Sequence, residues 1–247
     1  MSDSFHATTI ELTGADGASV EAYLASPDEE TSRGGVVVIH HMPGYDRATK
    51  EMVCRLAVLG YDAICPNLYS REAPGADPAD AAAAVRAAGG VPDDRLVADA
   101  RVAAEYLRSL PHANGKVGII GHCSGGRQAV LAACELDFDA VVDCYGAFVT
   151  GTPGDDFPLA VTNLVPLLPK LSCPLLGLFG KNDKFPSPEH VAELEEILTA
   201  NNKQYQTFSY DGAGHGFFAV DRPSYNVAAA LDGWERIETF YATYLGA

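Results

Sequence analysis

Residues 121–126 read Gly121-His122-Cys123-Ser124-Gly125-Gly126, and no other stretch of the 247-residue chain restricts the fold as tightly. A buried-strand pattern, KVGIIG over 116–121, runs straight into it, and a helical pattern, RQAVLAACEL, follows at once. A nucleophilic side chain with glycine two residues before and two after is the signature of a sharp strand-to-helix turn. Such a turn strains the central residue's backbone and brings strand and helix too close for side chains at the flanking positions. Gly121 and Gly125 give Cys123 that frame. Ser124 as the centre would need small residues at 122 and 126, and His122 fails that requirement.

The rest of the chain repeats the same alternation. Residues 35–41 form a β-branched run, GVVVIHH, the pattern of a parallel strand covered on both faces. Residues 48–59 follow at helical spacing, with Met52, Leu56 and Leu59 on one stripe. Further strands are expected at 61–65, 116–121, 140–145, 175–180 and 204–210, and helices at 93–110, 125–135, 188–199 and 226–244. Ser187 stands as N-cap before Pro188 at the first helical position. The alanine-rich stretch 77–90 reads as an exposed helix. Ahead of all this, 8–13 and 18–26 alternate apolar and polar residues around a Gly-Ala-Asp-Gly turn, an antiparallel hairpin. The expected architecture is α/β: a mostly parallel sheet with helices on both faces, an N-terminal hairpin, and a single domain over 1–247. Two long connections, 66–78 and 146–170, leave the C-terminal ends of strands, where ligands bind in open α/β sheets.

Charge narrows the function. With 17 basic against 33 acidic residues the formal charge is −16. Phosphate recognition needs clustered Lys and Arg, so a nucleic-acid partner is excluded, as is a polybasic membrane-surface helix. No apolar run approaches the ~20 residues of a membrane span. The first residues carry no basic region followed by an apolar stretch, so no secretory signal is expected. Cys54, Cys65, Cys123, Cys134, Cys144 and Cys173 form no C-x-x-C pair and no zinc spacing. Reduced thiols in a cytoplasmic protein are the expectation.

At the turn, Cys123 begins a helix whose dipole favours thiolate. The Ser124 N–H would point at a developing oxyanion. A nucleophile of this kind is followed in chain order by an acid and a histidine. Asp183 follows the strand at 175–180, and His215 lies in the glycine-rich turn DGAGHGFF after the strand at 204–210. Asp155, Asp156, Asp211 and Asp221 are rival acids. The second oxyanion amide is expected after the first buried strand, from Met42, because Pro43 has no N–H. Adjacent His40 and His41 invite a metal reading, but they point to opposite sides and no acidic partner stands at ligand spacing, so no metal site is expected. Instead His41 is expected in the cleft and His40 packed under the sheet.

The stretches ICPNLYSREAPG, NGKVGIIGHCSGG, the Asp183 strand end and YDGAGHGFF give the chain a resemblance to the dienelactone hydrolase family of the α/β-hydrolase fold, from about residue 35 onward. The resemblance implies a Cys123, Asp183, His215 triad and an oxyanion hole from the Met42 and Ser124 amides. It also implies a small-molecule ester or lactone as substrate and no cofactor. Two positions depart from the family pattern. His41 replaces a Glu near the thiol, and Ala219 replaces an Arg four residues past the histidine, with Arg222 nearby but out of register. Arg86 and Arg71 are the substitute candidates for a carboxylate clamp. The alternative is an apolar pocket from Phe148, Phe217, Phe218, Tyr45 and Tyr145, suited to neutral or monoanionic esters. A different class of function, a redox-sensing or ligand-binding protein, would use Cys123 as an oxidisable thiol with Cys144 or Cys65 approaching in space.

Overall fold

The computed structural model describes residues 4–154 and 157–246. Phe5–Thr13 (β1) and Ser19–Pro27 (β2) form the expected hairpin, and β2 pairs antiparallel with Asp62–Pro66 (β4). From β4 the sheet is parallel through Arg33–Ile39 (β3), Ala113–His122 (β5), Ala140–Cys144 (β6), Leu175–Gly180 (β7) and Tyr205–Tyr210 (β8). The strand order is β1-β2-β4-β3-β5-β6-β7-β8. The helices are Arg47–Val58 (α1), Pro78–Ala87 (α2), Asp93–Arg108 (α3), Ser124–Glu135 (α4), Pro188–Ala200 (α5) and Val227–Tyr244 (α6).

Strand periodicity divides the interior into two cores. On β3, Val37 and Ile39 face one side with Leu96, Leu107, Ile119 and Val130, under α3 and α4. Val36 and Val38 face the other with Leu56, Ile120, Val142, Trp234 and Tyr241, under α1 and α6. Burial on both faces is why β3 reads as an unbroken β-branched run. The alanine-rich segment differs from its expectation. It is the helix α2, but Ala81, Ala82 and Val85 are buried in the same core as Leu96 and Ile119, where small side chains let a helix approach closely. The strand carrying His40 and His41 ends at Ile39, so neither histidine is in the ladder.

One buried acid stands at the C-terminal end of β6. Asp143 is fully buried; one carboxylate oxygen accepts the Gly146 N–H at 2.7 Å and the other has no partner among the described residues. Burial raises its pKa from 3.8 to about 7. The folded state therefore holds a proton that the unfolded chain releases earlier, and stability falls as pH rises from 3.8 to about 7. At about 1.4 kcal/mol per pKa unit the loss approaches roughly 4 kcal/mol. Asp143→Asn retains the acceptor for Gly146 and removes the titration. Its melting temperature should fall less than the parent's between about pH 5 and about pH 8; an equal fall in both proteins refutes the assignment.

Candidate active site

The turn at Cys123 has the strained backbone expected of it. Cys123 sits at φ 58° and ψ −126°, between β5 and the first residue of α4. Its N–H donates to the Cys144 carbonyl at 3.0 Å, which fixes it against the neighbouring strand. A Cβ on Gly121 would collide with the Gly125 carbonyl, and one on Gly125 with the Ile39 carbonyl. The two glycines are thus required for β5, α4 and the end of β3 to meet.

His215 is delivered by the turn after β8 and Asp183 by the turn after β7. His215 Nε2 lies 3.0 Å from Cys123 Sγ, and His215 Nδ1 lies 2.8 Å from Asp183 Oδ2. The second Asp183 oxygen accepts the Phe185 N–H at 2.9 Å, so the carboxylate is oriented at both ends. Asp183 is buried and His215 half-buried, with the Tyr145 ring edge-on to the imidazole at 5.2 Å. Burial pushes the Cys123 thiol up, but the hydrogen bond and positive charge of His215 outweigh it, and the pKa lies below 9.0. Burial likewise pushes His215 down, while the hydrogen bonds it donates to Asp183 and Cys123 raise it to about 10. Both shifts favour the thiolate–imidazolium form of the pair, which is chemically equipped to attack a carbonyl and then protonate a leaving group.

Of the rival acids, Asp211 pairs with Lys181 on the surface at 3.0 Å, and Asp155 and Asp156 lie outside the described residues. The Ser124 amide faces the thiol, and the Met42 amide makes no backbone hydrogen bond among the described residues. Both residues line a cavity of about 310 Å³ beside Cys123.

That cavity changes the expected set of pocket residues. Phe148 and Arg86 line it; His41, Tyr45, Tyr145, Phe217 and Phe218 do not. Phe217 and Phe218 are core, stacked on each other at 4.7 Å and packed against Tyr210 and Trp234, because the chain turns inward directly after His215. Tyr45 is buried behind α1 beneath Lys50. His41 turns to Asp46, its Nε2 at 3.0 Å from the carboxylate of that α1 N-cap, a partner the sequence reading did not supply. His40 is buried as expected. Its Nδ1–H donates to the His41 carbonyl at 3.0 Å and its Nε2 accepts the Leu68 N–H at 3.1 Å, which pins the 66–70 segment with the Tyr69 ring nearly at right angles to the imidazole. Arg71 is unavailable as a clamp, since it is bound to Asp99 and Asp16, each at 2.8 Å. Cys65 and Cys144, the expected resolving thiols, are completely buried.

Sequence reasoning missed Tyr69, Val91, Arg127, Leu159 and Val161 in the lining. Only Arg127 left a trace. A cation in the first turn of a helix opposes the dipole, so an Arg just past the elbow signals a compensating partner.

The strand order, the glycine-framed turn after β5 and the histidine turn after the last strand define an α/β hydrolase. The sequence profile of the dienelactone hydrolase family matches residues 20–245, and the chain belongs to that family, hydrolases of lactones and esters. A Salmonella typhimurium protein assigned as a carboxymethylenebutenolidase is 34% identical over 251 aligned residues, covering 97% of this chain and 87% of that one. Carboxymethylenebutenolidase of Pseudomonas putida is 30% identical over 239 residues, covering 94% of this chain and 95% of that one. Among solved structures, a Klebsiella pneumoniae protein assigned as a dienelactone hydrolase superposes with a TM-score of 0.87 at 27% identity, over 98% of this chain and 100% of that one.

Proposed function

We propose that the chain hydrolyses esters or lactones of small carboxylic acids through a thioester on Cys123. The observation that carries this reading is the unbroken path from Asp183 Oδ2 through His215 to Cys123 Sγ, with separations of 2.8 and 3.0 Å. The thiolate attacks the carbonyl carbon, and the oxyanion is held by the Ser124 and Met42 amides. The tetrahedral intermediate collapses as the carbon–oxygen bond breaks, and the imidazolium of His215 gives its proton to the departing alkoxide. In a lactone the alcohol stays tethered to the acyl group. Water then enters, gives a proton to the now neutral His215 and attacks the thioester. Collapse of this second intermediate releases the carboxylic acid and restores the thiolate–imidazolium pair. Asp183 holds the imidazole tautomer and stabilises its charged form.

A redox role would need a resolving thiol that a sulfenic acid on Cys123 can reach. Burial of Cys65 and Cys144 speaks against it.

The test is to trap the intermediate. Acid quench within milliseconds of mixing with 4-nitrophenyl acetate, followed by peptide mass analysis, should find one acetyl group on the peptide containing Cys123. Turnover with no acyl adduct at that peptide, under conditions giving a nitrophenol burst, overturns the mechanism.

A further inference from the structure

Which part of a substrate enters the cavity follows from where His215 stands. The cavity opens onto Cys123, Ser124 and Met42, and His215 is not in its lining. On the thioester reading, His215 protonates the departing alcohol, so the alcohol lies on the imidazole side of the sulfur. The acyl arm then points the other way, into the cavity.

Most of the wall on that side is apolar, from Tyr69, Val91, Phe148, Phe157, Leu159 and Val161, with Asp93 and Gln128 as polar members. Two guanidinium groups also reach the lining. Arg127 is buried, faces the Asp93 carboxylate at 3.3 and 3.4 Å, and donates to the Thr162 carbonyl at 2.7 Å. Asp93 thereby balances its charge within the protein, while the buried Arg127 Nε has no hydrogen-bond partner among the described residues. Arg86 stands at the exposed rim with Nε against the Met42 sulfur at 3.0 Å, where water screens it.

The far wall is one segment, 157–161, from the long connection after β6, with Thr162 directly behind it in the chain. The Ala160 N–H donates to the Gly89 carbonyl at the end of α2 at 3.0 Å, and Leu159 stands over Gly90. Thr162 is held by Arg127, which rises from the first turn of the helix that Cys123 begins. Arg127 therefore fixes the distance between the thiol and the opposite wall.

We propose, resting on the thioester reading, that this cavity selects esters of uncharged aliphatic or aryl carboxylic acids, with Arg127 as the positioning residue. The volume of about 310 Å³ is at the small end of ligand sites, which suits acyl groups of about four to seven carbons rather than fatty acyl chains. Each methylene moved from water to the wall in the transition state should raise kcat/KM by up to about fourfold.

The experiment keeps 4-nitrophenol as leaving group and varies only the acid: acetate, butyrate, hexanoate, benzoate, decanoate and hemisuccinate. The expected result is kcat/KM for hexanoate at least about tenfold above acetate, falling again at decanoate, with hemisuccinate below butyrate. Leu159→Trp, a change on a half-exposed position, should cut the hexanoate-to-acetate ratio by about tenfold or more. Arg127→Gln should also lower that ratio, chiefly through a higher KM for hexanoate, with partial recovery in Arg127→Lys. A flat acyl-length profile, preference for hemisuccinate, or an equal loss on both esters in Leu159→Trp overturns the proposal. Should Arg127→Gln fail to fold, the length profile and Leu159→Trp decide alone. Turnover that persists in Cys123→Ala would instead remove the thioester reading, whereas Cys123-dependent turnover with a flat profile removes only the selectivity.

Discussion

Cys123→Ala should lower kcat/KM on 4-nitrophenyl acetate by about ten-thousandfold or more, with the melting temperature within a few degrees of the parent. Removing a nucleophile that acts in concert with its base abolishes the covalent route, and what remains is oxyanion stabilisation and binding. At about 1.4 kcal/mol per factor of ten, the loss corresponds to roughly 5.5 kcal/mol of transition-state stabilisation. The fold should tolerate the change because Ala has the same Cβ, so the backbone at φ 58° is no more strained than with Cys. Steady-state kinetics with a circular-dichroism melt checks both halves. Activity within tenfold of the parent would falsify the assignment of the nucleophile.

Asp183→Asn should cost about a thousandfold to ten-thousandfold and should also change the shape of the pH profile. In the parent, the thiolate–imidazolium pair exists from below the ordinary thiol range up to about 10, where His215 loses its proton. Below that window the sulfur is protonated and cannot attack. Above it the imidazole is neutral and cannot protonate the alkoxide. The activity of the parent should therefore hold up to about 9 and fall with an alkaline limb near 10. Without the Asp183 carboxylate, one of the interactions that raise His215 is gone, and the alkaline limb moves toward neutrality. Stability follows the same sign for the imidazole alone: a folded-state pKa above 6.5 means that charged His215 contributes fully below about 6.5 and ceases to contribute as pH rises through about 10. A variant that loses rate but keeps its alkaline limb in place would show that Asp183 does not act through His215.

The turn at Cys123 was legible in the sequence because its cause is local: two backbones cross where any Cβ at 121 or 125 would collide. Asp183 and His215 were legible because an acid and then a histidine follow such an elbow in chain order, each in the turn after a parallel strand. The cavity walls were not. They are assembled from α2, α3, α4 and a connection more than twenty residues long, and which face of that connection turns inward is decided by Arg127 and Gly89, far away in sequence. Phe217 and Phe218 illustrate the error most clearly. An aromatic pair beside a catalytic histidine reads as a pocket, yet the inward turn of the chain toward α6 makes both rings core. The histidine pair at 40–41 shows the converse. His40 is held by Leu68 and His41 lies against Asp46, and both neighbours come from loops whose approach no periodicity announces.

The clasp at residues 157–162 has a consequence for how such a chain diversifies. Its proton path is anchored to strand ends deep in the sheet, whereas the wall facing the thiol is tied to the helices, among the described residues, by hydrogen bonds at Ala160 and at Thr162. The first cannot drift without unmaking the fold. The second can be rebuilt by exchanging a single connection. New substrates are then open to lineages that inherit the chemistry intact, and laboratory evolution aimed at that one segment would explore the same freedom.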